Sequence, residues 1–379
     1  MKPRVALFYH SLVSDWNHGN AHFLRGIASE LIARGYSLRI FEPENGWSRE
    51  NLVRHYGQDA LDRFYRAFPQ LRSETYSADT MDLDEALDRS DLILVHEWNE
   101  PGLIARIGEY RRRNPNVRVL FHDTHHRAIT APAELAAFDL SNYDGVLAYG
   151  ASLAEAYRQR GWGRQVHVWH EAADTRVFFP RPSSTEEGDL VWIGNWGDEE
   201  RTEELREFLL RPVKALNLRA KVHGVRYPDY ALSELNESGV TYGGWIANFD
   251  VPDLFGRYRV TVHVPRRPYV EQLGGIPTIR PFEALACGIP LVSSYWNDSE
   301  GLFRAGQDFL VARSGVEMRT YISDVLNDNR LAASLIQNGL ETIQARHTCR
   351  HRVDELETIY RSMQPVNGPV SQVLDEVRA

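Results

Sequence analysis

The stretch 278–292 reads T-I-R-P-F-E-A-L-A-C-G-I-P-L-V and holds what a site for a phosphate-bearing ligand needs. Its spacing predicts an amphipathic helix opening near Thr278. Pro281 falls in the first turn, where a missing N–H costs little, and Gly288 is placed to end the helix. The opening of such a helix points unpaired backbone N–H groups and a partial positive charge at whatever precedes it. Arg266, Arg267, Gly274 and Gly275 precede it. Thr278, Ile279, Arg280 and Arg266 are therefore candidate anion contacts. Glu283 lies within about two turns of that end, where it can accept hydrogen bonds from sugar hydroxyls. A buried α/β core helix with a capped carboxylate would read the same way, so the surrounding elements must decide.

Other segments carry related groups. Residues 11–20, S-L-V-S-D-W-N-H-G-N, include Asp15, Gly19 and Asn20 and run into a helical pattern. Gly19 lets a ligand approach the backbone, and Asn20 is a candidate N-cap or contact. The segment lacks G-x-G-x-x-G, which counts against a NAD dehydrogenase. Residues 122–127, H-D-T-H-H-R, bring His122, Asp123 and His125 together, groups that donate, accept or titrate near neutrality. No second carboxylate–His motif completes a metal site there. Gly194, Asn195 and Arg201 follow another apolar run. Gly194 permits close backbone approach, Asn195 can hydrogen-bond a ligand oxygen, and Arg201 adds a cation. His170 and Glu171 precede Asp174, Phe178 and Pro180; the pair are candidate polar site residues, and Asp174 and Phe178 read better as a fixed hinge.

These loops need a scaffold that gathers them. Residues 5–9, 20–34 and 37–41 read as strand, helix and strand, one βαβ unit and hence a parallel sheet. Strand patterns recur at 92–95, 117–121, 146–148 and 166–169, and helical ones at 103–113 and 152–160. Residues 48–72 read as helical insertions. Residues 174–188 are rich in Pro, Ser and Glu and read as a linker. A second series follows, with strands at 190–193, 220–223, 240–242, 260–264 and 291–293. A helix is expected at 202–216, broken near Pro212, and others at 316–326, 330–346 and 351–363. Ligands of open parallel sheets bind at strand carboxyl ends, so two such sheets place a cleft between them.

At 379 residues the chain has material for two domains, with 43% hydrophobic and 25% charged residues. A net charge of −9 argues against nonspecific nucleic-acid binding. Cys287 and Cys349 alone exclude a disulfide scaffold and suit a reducing, cytoplasmic setting. No apolar window reaches the roughly 18 residues of a membrane span, which leaves peripheral contact open. Most of the nine tryptophans are expected in the core.

The 278–292 stretch resembles the donor signature of GT-B glycosyltransferases, closest to the CgeB-like (spore maturation protein) branch. The resemblance implies two Rossmann-like domains with parallel sheets facing across a cleft. These are an acceptor domain at 1–175, a nucleotide-sugar domain at 176–347, and a terminal segment at 348–379 crossing back to the first. It makes Glu283 the ribose ligand and assigns Arg201, Arg266 and Arg280 to the diphosphate. It gives base contacts to Gly244 and Trp245, and the transferred sugar to His122, with Asp123 next. It places residues 11–20 at the donor–acceptor boundary. The family's hinge has Asn-Gly where this chain has His170 and Glu171. The family's other Glu, eight positions before Glu283, is Gly275 here; Glu271 is the nearest carboxylate upstream. Asp82 and Asp84 spell the D-x-D of metal-dependent GT-A enzymes but open a helix and are discounted. The activity implied is transfer from a nucleoside-diphosphate sugar, UDP-linked, to an acceptor hydroxyl, retaining and without a metal or further cofactor. Were it inverting, Asp15, His122 or Asp123 would be the base. A sugar-nucleotide epimerase and a non-catalytic nucleotide-sugar-binding regulator are the alternatives.

Overall fold

A computed structural model describes residues 2–363 apart from Pro182. That proline and the expected tail at 365–379 lie outside the described residues. The first sheet is formed by β1 (Arg4–Phe8), β2 (Ser37–Pro43), β3 (Glu74–Tyr76), β4 (Leu92–His96), β5 (Arg118–Asp123), β6 (Gly145–Ala148) and β7 (Val166–Val168). Its order is β3-β2-β1-β4-β5-β6-β7, with every pair parallel. The second comprises β8 (Gly188–Ile193), β9 (Ala220–His223), β10 (Val240–Tyr242), β11 (Tyr258–His263), β12 (Leu291–Ser294) and β13 (Leu310–Ala312). It runs β10-β9-β8-β11-β12-β13, again parallel. Helices cover both faces, so the central strands are apolar runs such as L-I-L-V in β4, buried throughout. The strand order reverses between β1 and β4 and between β8 and β11. These are the two crevices where the fold leaves room for a ligand.

The helix Cys349–Ser362 packs on the helix Ala21–Ala33 of the first domain. Arg34 bonds Asp354 at 2.7 Å, and the Trp169 indole N–H donates to the Arg352 carbonyl at 2.8 Å. Gly26 makes the approach feasible: a Cβ there would lie 2.4 Å from Cys349 Sγ and 2.8 Å from Asp174 Cβ.

Some local expectations change. Asn20 precedes its helix but makes no side-chain cap bond. The 202–216 segment is helical throughout but widens into a π-turn at Arg206–Leu210, where the Arg211 N–H reaches the Arg206 carbonyl. That wider turn accommodates Pro212, which cannot donate to the ladder. The edge strands β3 and β13, three residues each, and the helix Asp229–Glu237 were not foreseen. Among the described residues no helix is long and apolar enough to cross a membrane.

Candidate active site

A cavity of about 1000 Å³ lies between the strand carboxyl ends of the two sheets. On the second-domain side, β8 runs into Gly194 and Asn195, and β11 runs into the segment that carries Arg266. Arg201 sits between them. Its Nη1 donates to the Val264 carbonyl at 2.9 Å, and its Nη2 to the Asn195 carbonyl at 2.7 Å and side chain at 3.0 Å. Its Nε is buried with no partner. Among the described residues no carboxylate pairs with Arg201. Burial, then the neighbouring Arg266, lowers its pKa to about 9. Arg266 bonds Glu200 at 2.8 Å and Asn195 at 3.1 Å, and Arg280 pairs with Glu283. All three guanidiniums line the cavity.

The helix Ile279–Cys287 opens onto the same space, with Thr278, Ile279 and Arg280 on the cavity wall. No acidic side chain occupies its first turn, so the orphan N–H groups keep their positive field. Thr278 has φ 56° and ψ 174°, a backbone region essentially reserved for glycine, and Gly275 just before it has φ 93°. Gly288 closes the helix at φ 66°, as its position predicted.

Glu283 does not line the cavity. It is fully buried, and its Oε1 accepts from His22 Nδ1 at 2.9 Å and Asn248 Nδ2 at 2.7 Å while Oε2 takes Arg280. The Asp174 N–H donates to His22 Nε2 at 2.7 Å, so the His22 proton sits on Nδ1, facing Glu283. Burial pushes the Glu283 carboxyl up, but Arg280 and His22 outweigh it and hold it below the usual range. The residue expected at the ribose instead bridges the two domains beneath the cavity floor. Asp15, expected as a base in the inverting case, lines the cavity but is also a bracket. It pairs with Arg25 and accepts from the Trp245 indole and the Asn248 N–H, each at 2.9 Å. Asn17 and Asn195 join the domains again at 2.6 Å.

His122 and Asp123 end β5, as expected, but neither reaches the cavity wall. Phe23, His96 and Trp169 surround the His122 ring; both its nitrogens are unpartnered, and burial lowers its pKa to about 3. Asp123 accepts from Tyr157 Oη at 2.7 Å and the His125 N–H at 2.9 Å. Burial raises its pKa to about 6. Strand β5 is central and packed on both faces, so its last side chains point into core. His125 lines the cavity, as do Gly19, Asn20 and Glu171. A Cβ on Gly19 would meet Ile279 at 3.4 Å, which sets the first domain's loop against the second domain's helix.

Glu171 is 2% exposed, and neither of its oxygens has a partner. Burial, then the charge of Glu283, raises its pKa to about 8. His170 turns away from the cavity to bond Glu300 at 2.8 Å. Gly244 likewise stays off the wall, accepting the Gly224 N–H at 2.9 Å, while its neighbour Trp245 is on it. A side chain at position 275 would be strained by the positive φ, and its Cβ would sit 2.7 Å from Glu300 Oε1, which would have to shift. Glu271, the nearest carboxylate upstream, is exposed and off the cavity wall.

The sequence reading missed His10 and His18. Their rings lie 4.0 Å apart beside the switch point, and both line the cavity. Burial lowers the His10 pKa to about 3 and puts His18 well below its ordinary value, so both are neutral. The available signal was position: His10 follows β1 almost directly, where the strand order reverses.

Residues 201–358 match the family described as glycosyl transferase-like. No curated protein sequence matches the chain. Several solved structures resemble it along nearly their whole length. Sucrose-phosphate synthase from Thermosynechococcus elongatus has a TM-score of 0.64 at 18% identity, covering 96% of this chain and 99% of that one. Anabaena HepE, in complex with UDP and glucose, has a TM-score of 0.66 at 15% identity, with 95% and 100% covered. An alpha-glucosyltransferase in complex with UDP and a 13-mer DNA containing a HMU base has a TM-score of 0.68 at 11% identity, again with 95% and 100% covered. Two parallel-sheet Rossmann-like domains in this arrangement are the GT-B fold, and the second half of this chain carries a glycosyl transferase-like domain.

Proposed function

We propose that this protein transfers a sugar from a UDP-sugar to an acceptor hydroxyl, as a cytoplasmic member of the CgeB-like branch of GT-B glycosyltransferases. The observation that carries this reading is Arg201, a part-buried guanidinium on the cavity wall with no carboxylate partner among the described residues and two further arginines beside it. Arg266 is compensated by Glu200 and Arg280 by Glu283, so among the described residues the charge left for an anion to balance is that of Arg201. A diphosphate between Arg201, Arg266, Arg280 and the N–H groups of the 279–287 helix balances it. The presence of UDP in similar structures supports a uridine nucleotide.

In the reaction the bond from the anomeric carbon to the β-phosphate oxygen breaks, and its electron pair stays on the phosphate. The acceptor oxygen bonds the same carbon, and the acceptor's proton passes to the departing phosphate. That route is retaining and asks for no protein base. The guanidiniums and helix N–H groups stabilise the charge that develops on the leaving group, and a closed cleft keeps water from competing. Glu283 reaches a ribose hydroxyl only if Arg280 leaves it for the phosphates, a switch that couples donor binding to the His22 bridge between domains. An epimerase would need a base at the bound sugar, and His122 and Asp123 lie off the cavity wall.

Calorimetric titration with UDP, GDP and TDP, on the wild type and on Arg201→Ala, tests the reading. UDP should bind most tightly, and the variant should lose about tenfold or more in affinity, the scale of a charge-assisted contact. Equal UDP affinity in the two proteins would refute the assignment.

A further inference from the structure

The cavity is electrically two-sided. Its arginines other than Arg226 gather at the second-domain end, and Arg226 is matched by Asp198 at 2.8 Å. The opposite end is built by loops after β2, β3 and β4, which lie with β1 in one half of the first sheet, in the order β3-β2-β1-β4. These loops contribute Glu44, Asp79 and Glu100 to the wall. All three are exposed, and among the described residues none has an ion-pair partner. Two of the loops also present indoles, Trp47 at 53% exposed and Trp98 at 43%. Both are held in place: Trp16 meets Trp47 edge-on at 4.9 Å, and the Arg127 guanidinium packs over Trp98 at 3.8 Å. Between the two loops sits the neutral pair His10 and His18; His18 is 8% exposed, and its Nε2 has no partner.

From this juxtaposition we infer that the acceptor is an uncharged saccharide, rather than a sugar phosphate or a nucleic acid. The inference rests on the glycosyltransferase reading and deepens it. Indole surfaces stack on the apolar face of a sugar ring, and carboxylates and neutral imidazoles hydrogen-bond its hydroxyls. Phosphate groups would instead meet three unpaired negative charges and, among the described residues, no unpaired cation on that end of the wall. The first-domain end therefore differs in kind from a DNA-binding wall, although one similar structure holds DNA.

The test uses the full chain. UDP titration first establishes the donor site; absence of UDP binding overturns the donor reading and this inference with it. UDP release from UDP-glucose, UDP-galactose and UDP-N-acetylglucosamine is then followed with three acceptors: a mixture of neutral hexosides and maltotriose, fructose 6-phosphate, and a hydroxymethyluracil-containing oligonucleotide. The neutral saccharides should stimulate release, and Trp98→Ala should cut that stimulation by about tenfold, with Trp98→Phe restoring most of it. Stimulation only by the phosphate or the DNA, or by none of the three, overturns the acceptor assignment while UDP binding leaves the donor site standing. Unchanged stimulation in Trp98→Ala also overturns it.

Discussion

Replacing Glu171 by Gln should make the protein more stable, in a way that depends on pH. The carboxyl is 2% exposed, and its pKa is raised from 4.5 to about 8 by burial and the Glu283 charge. Below pH 4.5 the group is protonated folded or unfolded, and it adds nothing to the pH dependence. Between 4.5 and 8 the unfolded chain has released the proton and the folded chain holds it, so stability falls as pH rises. Above about 8 the loss is complete. At pH 7 the group sits about 2.5 pH units into that window, and at about 1.4 kcal/mol per unit the burden is on the order of 3 kcal/mol. Glutamine keeps the shape without the charge, and its unpaired amide merely replaces an unpaired carboxylic acid. The variant should therefore match the wild type near pH 4.5 and exceed it by ~3 kcal/mol at pH 7. Thermal melts of both proteins at intervals from pH 4.5 to 9 measure the difference. A gap that does not widen with pH, or a variant less stable at pH 8, would refute the assignment of a proton to Glu171. A proton-bearing Glu171 also adds no negative charge to the cavity wall at neutral pH, so UDP-sugar affinity should weaken as pH rises past 8, which calorimetry across that range checks.

Two further substitutions probe the scaffold. Gly26→Ala should destabilise by about 1–3 kcal/mol, since the added methyl collides with Cys349 Sγ and Asp174 Cβ. Adding Cys349→Ala should recover part of that loss in denaturant melts, and no recovery would locate the strain elsewhere. Thr278→Gly should raise stability by about 1 kcal/mol, because relief of a glycine-only backbone geometry outweighs the entropy glycine adds to the unfolded chain. A lower melting temperature for that variant would show that the threonine hydroxyl contributes more than the strain costs.

The sequence exposed what has a one-dimensional signature. Alternating strand and helix patterns gave both parallel sheets, and Pro281 with Gly288 bounded the 279–287 helix closely. Asp82 capped a short helix, as its E-A-L sequel implied: its side chain accepts from the Asp84 and Glu85 N–H groups. Burial inside the cleft had no such signature. His122 sits at the strand end the motif named, yet its ring is packed against Trp169, and it is His10, after β1, that lines the cavity. Glu283 was assigned from its place on the helix. The three partners that enclose it come from positions 22, 248 and 280, and only the last is within reach of a local pattern. The missing glutamate at 275 was legible as an absence, but the positive φ that strains any side chain there was not.

The partition of charge within the cavity offers a way for a protein of net charge −9 to hold the anionic donor proposed for it. Long-range fields of the surface disfavour the approach of a nucleotide, but those are screened within about 8 Å at physiological ionic strength. The guanidinium of Arg201 is under a protein wall where screening is weak, and neighbouring cations already press on it. An entering diphosphate therefore removes cation–cation repulsion in addition to forming its own contacts. At the other end, Glu44, Asp79 and Glu100 repel the same diphosphate, so the donor has one favourable orientation, phosphates toward the second domain. On the proposed reading, the polarity that would select the acceptor's charge would also set the direction in which the donor presents its sugar.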